Sequence, residues 1–466
     1  MNSGNYPSTT SFDSSIPAGA VSTSSELDRP TLGECHFVSD LTILEDFYEC
    51  NDTAMRYFVG ATSDSATSDS LTLEGNGASH VNLIGQPNVT VSLTKPVQNI
   101  LKKRPFRWFN HPKHLDSIIS ACLSAAPVPA SGIGESEYLA KENVVITWRG
   151  ILTKIFLGDT ITMHASLIDG RLYMEEEDPK PNWKAKKYSL SDAVGKAFED
   201  TFTETRPIGR DGLPRRIPKA NTQWCNVVSR TLGDLNLIFG GEVDAFNCKA
   251  SEDLHDNHGI LDRRVELKTK LLGSKIHYPR WHMQSHLLAV PQIFVGYRND
   301  NLDIVKTQSI HTANIRPRNF EENIAKGYRV LSVLRGHLSR SAELERCTRL
   351  QSSTSASSES HTNLDSPDLG LDKLCLKDPA IDTTWDTNTG TGASDDASDC
   401  IWKVTIRKWT IDSVHLLSMA DAQRVKERRE NPSKPVERLG IVPKVLIDAM
   451  HTKYKLRSAN RVLRRR

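Results

Sequence analysis

Between Phe239 and Lys270, two short apolar stretches, FGGEVDAF and RRVELKTKL, carry ionisable groups at alternating positions. The first holds Glu242 and Asp244, the second Glu266 and Lys268. Side chains two apart on a strand point to the same face. If both stretches are strands and pair, three carboxylates and one ammonium converge. Carboxylates that close together in apolar surroundings repel and desolvate one another unless a cation sits among them. Oxygen donors select hard ions such as Mg²⁺ or Mn²⁺, which keep water and accept phosphate oxygens as further ligands. A lysine beside such a cluster can orient an attacking water or stabilise charge developing on phosphorus. An acidic residue followed at a distance by (D/E)-x-K is the arrangement of many metal-dependent nucleases. Either pair alone is more often a solvated strand face; apolar neighbours on both sides set these two apart. Gly240 and Gly241, just before Glu242, are expected to let a ligand approach the backbone closely.

The surrounding pattern predicts the elements that must hold these groups. Apolar residues at helical spacing (Leu115, Ile118, Ile119, Cys122, Leu123) predict a helix. The β-branched run NVVITWRGILTKIF (143–156) reads as a strand, and TITMHASLIDGRLYME as a hairpin turning at Asp169-Gly170. LSDAVGKAFEDTFTE (190–204) reads as a helix with Ser191 as N-cap. After the two acidic strands come a helix near RWHMQSHLLAV, strands QIFVGYRN and LDIVKTQSI, and a helix over 320–340. IWKVTIRKWTI (401–411) returns to strand character and is expected to rejoin the same sheet. The fold class is α/β (α+β), with mixed sheets flanked by helices.

The domain reading follows from composition. Residues 1–30 are Ser/Thr/Gly/Pro-rich and expected to be disordered, and 60–80 form a polar loop within a catalytic domain over 31–345. Residues 346–400 read as an acidic, Ser/Thr-rich disordered insert, and 401–420 as a strand region of the same domain. The stretch 421–466 carries 14 Lys/Arg against 5 Asp/Glu and reads as a basic tail for nuclear import or RNA binding. A net charge of only +2 means that any nucleic-acid surface must come from such local clustering. Eight scattered cysteines with no CxxC pair suit reduced thiols rather than a disulfide or zinc framework. His277, His282 and His286 lack the partners of a tetrahedral zinc set and read as structural. No apolar run approaches the roughly 18 residues of a membrane span, and the N-terminus lacks a secretory pattern. The expectation is an intracellular protein with no membrane partner.

Several motifs in order resemble the decapping nucleases of the DXO/RAI type, specifically a fungal member. That family includes the nuclear partner of a 5′→3′ exoribonuclease. ITWRGILTKI resembles the family's WRG segment, and GKAFE (195–199) its G-x-φ-x-E motif, where φ is apolar. EVD and ELK supply the next two motifs, and HMQSHLLAVPQIFVGYRN the segment with a substrate-contacting glutamine. WCNVVSRTLG also matches, and AMRYFVG corresponds to an early arginine-aromatic segment. The resemblance covers about residues 100–340, with a looser match at 401–411. It implies a PD-(D/E)xK-nuclease-like core in which Glu199, Glu242, Asp244 and Glu266 hold divalent metal, Mg²⁺ or Mn²⁺ and two ions, with the Leu267 carbonyl as a further ligand. Those four carboxylates and Lys268 would form the catalytic set. Glu242, Lys268 and Gln284 would contact the scissile phosphate or the water; Trp148, Arg149 and Gly150 would hold the RNA 5′ end; Cys225 and Arg56 would also touch substrate.

The function implied is metal-dependent hydrolysis at RNA 5′ ends (incomplete caps, 5′-triphosphates, NAD caps), with 5′→3′ exonuclease activity in some family members. The nucleus is the implied location, with the cytoplasm as the alternative, and a 5′→3′ exoribonuclease is a candidate partner. The alternatives are a non-catalytic stabilising subunit of such an exoribonuclease, or a DNA nuclease with the same metal site.

Overall fold

The computed structural model describes residues 30–45, 55–59, 81–83, 90–102, 114–124, 139, 141–177, 190–205, 222–246, 261–355, 399–427 and 436–452. The expected N-terminal tail before residue 30, the 60–80 loop and most of the acidic insert lie outside these residues.

Two mixed sheets form the frame. In chain order the strands are β1 (His36–Glu45), β2 (Met55–Val59), β3 (Val81–Leu83), β4 (Val91–Ser92), β5 (Val144–Trp148), β6 (Ile161–Ile168), β7 (Arg171–Glu176), β8 (Thr203–Thr205) and β9 (Thr222–Leu232). They continue with β10 (Leu235–Glu242), β11 (Ala245–Phe246), β12 (Arg264–Leu271), β13 (Gln292–Arg298), β14 (Asp303–His311), β15 (Trp402–Arg407), β16 (Thr410–Leu416), β17 (Arg438–Leu439) and β18 (Val442–Pro443). The helices are α1 (Thr94–Lys102), α2 (Asp116–Ser124), α3 (Arg149–Leu157), α4 (Leu190–Phe202), α5 (Tyr278–Leu287), α6 (Phe320–Ser355), α7 (Met419–Glu427) and α8 (444–452). The larger sheet runs β16-β15-β6-β7-β5-β10-β9-β1-β2 and the smaller β4-β14-β13-β12-β11-β3-β8.

Apolar faces fix the layering. Ile151, Leu152, Ile155 and Phe156 of α3, Met283 and Leu287 of α5, and Leu331, Leu334 and Leu338 of α6 bury one face of the larger sheet. Ile118 and Ile119 of α2, with Ile447 and Met450 of α8, cover its other face. Val194, Phe198 and Phe202 of α4 pack on Val265, Leu267 and Phe294 of the smaller sheet. Gly296 makes that last contact possible, because a Cβ there would lie 2.3 Å from the Phe198 ring. Burying Phe198 contributes about 1.5–3 kcal/mol and anchors the helix that carries Glu199.

The Asp169-Gly170 hairpin forms as expected, both residues at positive φ (49° and 72°), as a two-residue type I′ turn requires. Five elements differ from the sequence reading. The run 143–156 is not one strand: β5 ends at Trp148 and α3 begins at Arg149, because its apolar residues bury at helical spacing against α5 and α6 and Gly158 closes the helix at φ 70°. Ser191 is inside α4 rather than capping it, since the helix starts at Leu190. The helix over 320–340 continues to Ser355, into the expected insert, carried by the helix-forming run Ala342-Glu343-Leu344-Glu345-Arg346. Residues 401–411 are not one strand either; β15 and β16 turn at Lys408 and Trp409, both at positive φ, while β15 joins the larger sheet beside β6, as expected.

The fifth difference is the basic tail. Up to residue 452 it is part of the fold: Ile441, Val442, Ile447 and Met450 are buried, and Arg438 forks onto Asp116 of α2 at 2.8 and 3.2 Å. Charge counting missed this because four apolar residues and one buried arginine, not the average charge, decide the packing. Arg438→Ala is expected to cost about 2 kcal/mol in urea unfolding, less than for a fully enclosed pair because Asp116 stays partly wet.

Candidate metal-dependent nuclease site

The acidic residues meet where the chain changes sheets. β10 ends at Glu242 in the larger sheet, and β11 starts at Ala245 in the smaller. Glu242 and Asp244 therefore do not share one strand, and β10 does not pair with β12, whose neighbours are β13 on one side and, through Ala245–Val265 and Phe246–Arg264, β11 on the other. The convergence expected from strand alternation is instead produced by the Val243-Asp244 crossing. Since β11 stops there, the edge of β12 beyond Val265 is open toward the crossing. Asp244 fills it: its Oδ2 accepts the Leu267 N–H at 2.8 Å. The N–H and C=O of one strand residue point to the same edge, so the Leu267 carbonyl also faces this crossing. Glu266 and Lys268 do share a face of β12, as alternation requires, with Lys268 Nζ 2.7 Å from Glu266 Oε1.

Two helices complete the cluster. Arg149, the first residue of α3, donates to Glu266 Oε2 at 3.1 Å. Glu199 of α4 accepts from Lys196 at 2.8 Å, and the same ammonium lies 3.9 Å from Glu242 Oε1. Four carboxylates thus face three basic side chains. Burial opposes ionisation of Glu266, but Lys268 and then Arg149 outweigh it and hold the carboxyl at about 2. Asp244 behaves oppositely. Burial first, then the charges of Glu266, Glu199 and Glu242, push its carboxyl well above the usual range, with Lys268 offsetting only part. Glu199 is raised by burial, against the pull of Lys196.

Among the described residues, no three acidic, histidine or cysteine side chains are arranged as a ready metal cage. The reason is local: Glu199 and Glu266 are turned onto Lys196, Lys268 and Arg149. The donor chemistry nonetheless fits a hard cation, because the oxygens are carboxylate and carbonyl and the negative charge around Asp244 is only partly offset by Lys268.

The other expected contacts are placed as follows. Trp148 is buried beneath the site and donates its indole N–H to the His114 carbonyl at 3.3 Å. Its ring fills the space over Gly240, where a Cβ would lie 2.8 Å away, and Leu288 and Arg149 fill the space over Gly241. These glycines serve internal packing rather than close ligand approach, correcting the expectation. Gly150 has open space at its Cα. Cys225 is buried and lies opposite Glu242 in the β9–β10 register. Gln284 is half-buried on α5, whose Met283 and Leu287 pack with α3. Arg56 is on β2, and its side chain lies outside the described residues. His282 and His286 stack on each other and edge onto Phe320; with His311 they line a separate 220 Å³ cavity that the carboxylates do not border.

Three basic residues escaped sequence reasoning. Lys196 was detectable as the i−3 neighbour of Glu199. Arg230 and Arg264 had no local signal. They donate to the last carbonyls of α5 and its cap (His286, Leu287 and Leu288), which fixes that helix against the start of β12.

This fold and this arrangement define a nuclease core of the PD-(D/E)XK class. The chain matches, over residues 45–367, the family described as RAI1-like PD-(D/E)XK nuclease, and it belongs to that family. It is 33% identical over 197 residues to the decapping nuclease RAI1 of Cryptococcus neoformans, covering 37% of this chain and 49% of that protein. It is 26% identical over 267 residues to the Neurospora crassa protein of the same name, covering 51% of this chain and 61% of the other. The matched region thus spans about half the length of these curated relatives. In fold it is similar to Rai1 of Scheffersomyces stipitis, at a TM-score of 0.52 and 13% identity, covering 91% of this chain and 98% of that one.

The opposed shifts of Asp244 and Glu266 have opposite consequences. An elevated folded-state carboxyl loses stability as pH rises through its range, so ionised Asp244 costs the metal-free fold at neutral pH. Asp244→Asn, whose amide oxygen can still accept the Leu267 N–H, is expected to raise the urea midpoint at pH 7 without metal. Glu266 contributes stability that is fully present above its unfolded value, roughly 4.3, and lost as pH falls toward about 2. Urea unfolding of Glu266→Gln between those values is expected to lack that part of the acid slope.

Proposed function

We infer that this chain is a divalent-metal-dependent hydrolase acting at the 5′ ends of RNA, a decapping nuclease that removes incomplete caps, 5′-triphosphates or NAD caps. The observation that carries this reading is the convergence of Glu199, Glu242, Asp244 and Glu266 with Lys268 at the crossing between sheets, where Lys268 offsets only part of the negative charge around Asp244. The names of the relatives, decapping nucleases, support the reaction class. The S. stipitis Rai1 structure, a complex with 3′-NADP⁺ and a calcium ion, supports binding of a nucleotide and a hard cation.

Glu199, Glu242, Asp244, Glu266 and the Leu267 carbonyl would hold the metal. When bound, Mg²⁺ or Mn²⁺ supplies Lewis-acid charge to a phosphate oxygen and acidifies a bound water. The chain's own groups do the rest. Lys268, kept protonated by Glu266 and Asp244, presents positive charge where negative charge develops on phosphorus. Arg149 stays charged for the same reason and can fork onto the 5′ phosphate beside Gly150, where there is room for substrate. Gln284 lies on the neighbouring helix to orient water or phosphate, and Trp148 supports this wall from below. Cys225 and Arg56 are assigned to substrate contact by the family pattern alone.

Action in the nucleus, association with a 5′→3′ exoribonuclease and subsequent 5′→3′ degradation belong to the same reading. A purely non-catalytic subunit would have no need of four clustered carboxylates with a lysine between the sheets, a costly arrangement. Glu242→Gln is expected to slow release of the 5′ cap, pyrophosphate or nicotinamide mononucleotide by more than about a hundredfold, with an unchanged circular-dichroism spectrum. The assay uses RNAs bearing monophosphate, triphosphate, unmethylated-cap, methylated-cap and NAD ends. Wild-type rates in the variant would overturn the assignment.

A further inference from the structure

The face of the smaller sheet that carries Glu266 and Lys268 continues past the carboxylates. The pairing register lays out its rows across β12, β13 and β14: Glu266–Ile293–Ile310, then Lys268–Val295–Gln308, then Lys270–Tyr297–Lys306. Ile293 and Val295 are buried, packed with Ile315 and Trp281. The last row is open, with Lys270 and Tyr297 half-buried and Lys306 exposed. Strand rise puts Lys270 about 7 Å beyond Lys268 on the same face.

This row is basic and aromatic together. Lys306 Nζ lies 5.7 Å from the centre of the Tyr297 ring, and the Tyr297 hydroxyl donates to Gln308 at 2.8 Å. Tyr278, the first residue of α5, is 40% exposed and meets the Trp281 ring edge-on at 6.4 Å. Trp281 and Tyr297 pack on the same buried patch. Burial, and then the neighbouring Tyr278, raise the Tyr297 phenol above its ordinary value, so the two tyrosines lie near one another. From Leu267 to Asn299 the chain has no Asp or Glu, yet it holds Lys268, Lys270, Lys275, Arg280 and Arg298. Arg280 is taken up by Asp159, whereas among the described residues no carboxylate pairs with Lys270, Lys275 or Lys306.

Lysines without acidic partners, held on a rigid sheet with exposed rings between them, suit a polyanion that carries flat groups. An acidic protein segment would use the charge and leave the rings idle. A single-stranded nucleic acid uses both, because its phosphates meet lysines while its bases stack on aromatic faces. The order along β12 also sets a direction. Glu266 is bound to Arg149, Lys268 follows, and Lys270 lies beyond. With the 5′ phosphate at Arg149, the chain 3′ of the reacting phosphate leaves over Lys270.

We propose that the Lys270–Tyr297–Lys306 row and Tyr278 form a binding site for the single-stranded RNA immediately 3′ of the reacting phosphate. Lys270 and Lys306 contact phosphates, Tyr278 stacks a base, and Tyr297 positions Lys306. None of the four touches the reacting atoms. The inference rests on the reading of the carboxylate site as one that acts on RNA 5′ ends, and adds that tight binding needs several unpaired nucleotides behind that end.

The test is fluorescence anisotropy of a 3′-labelled single-stranded RNA of about 20 nucleotides, longer than one such site, bound to the full chain in EDTA so that nothing is cut. The double variant Lys270→Gln/Lys306→Gln is expected to bind about tenfold more weakly at low salt. Its slope of log K against log salt is expected to flatten by about 1.4, the value for two phosphate contacts on a single strand. Tyr278→Leu is expected to lose about tenfold with the slope unchanged, and Lys270→Arg/Lys306→Arg to keep both affinity and slope. Circular dichroism checks folding. With Mn²⁺, the double variant is expected to raise KM for 5′-triphosphate RNA at constant kcat, and more than for a 5′-triphosphate dinucleotide too short to reach the row. Unaltered affinity and slope in the double variant, or equal rises in KM for both substrates, would overturn the proposal and leave the hydrolase reading intact. Row-dependent binding without hydrolysis of either substrate would support the binding site and overturn the hydrolase reading alone.

Discussion

The structure turns on one electrostatic constraint: four carboxylates, from α4, β10, β12 and the crossing between the sheets, must share a small, largely buried volume. Unpaired, they would not stay ionised. The chain meets this by crossing from the larger to the smaller sheet at Val243-Asp244, so Glu242 ends one sheet while Asp244 and Glu266 begin the other. Arg149, Lys196 and Lys268 then divide the negative charge among themselves, and Asp244 is left as the group with the greatest deficit of positive charge. A site built this way is poised for a cation rather than optimised for its absence.

Much of the remaining architecture serves to hold that volume in place. Phe198 over Gly296 fixes α4 and thus Glu199; Trp148 over Gly240 fixes the β5–α3 junction and thus Arg149. Arg230 and Arg264 tie the end of α5 to β9 and β12, which sets Gln284 beside α3. In each case an aromatic or arginine side chain packs where a glycine or a helix end leaves space. The catalytic groups come from the rims of these contacts, so their spacing is inherited from the core. Membership in the RAI1-like nuclease family accords with this frame.

Local pattern was most informative where one element carried its own signal. The ELK strand, the Asp169-Gly170 hairpin and α5 fall where periodicity and turn chemistry place them. It failed where the deciding partner was distant. The run after Trp148 is β-branched and reads as strand, yet α5 and α6 bury it as a helix. The region beyond 421 reads as a charged tail, yet Asp116 on α2 captures Arg438 and buries the segment around it. The glycines before Glu242 read as a ligand approach and prove to be sockets for Trp148, Leu288 and Arg149.

What the sequence determined by itself is the chemical inventory: carboxylates at 199, 242, 244 and 266, a lysine at 268 and an arginine at 149, in an order that resembles a known nuclease family. Residue type and short spacing suffice for that, because they depend only on the chain's own alternation and helical period. The tertiary structure alone decided how those groups meet. Glu242 and Asp244 are separated by a change of sheet, Glu199 is paired with Lys196, and Asp244 is the acid left short of positive charge. The physical reason is that desolvation and Coulomb terms depend on distances between elements far apart in sequence, which no local pattern encodes.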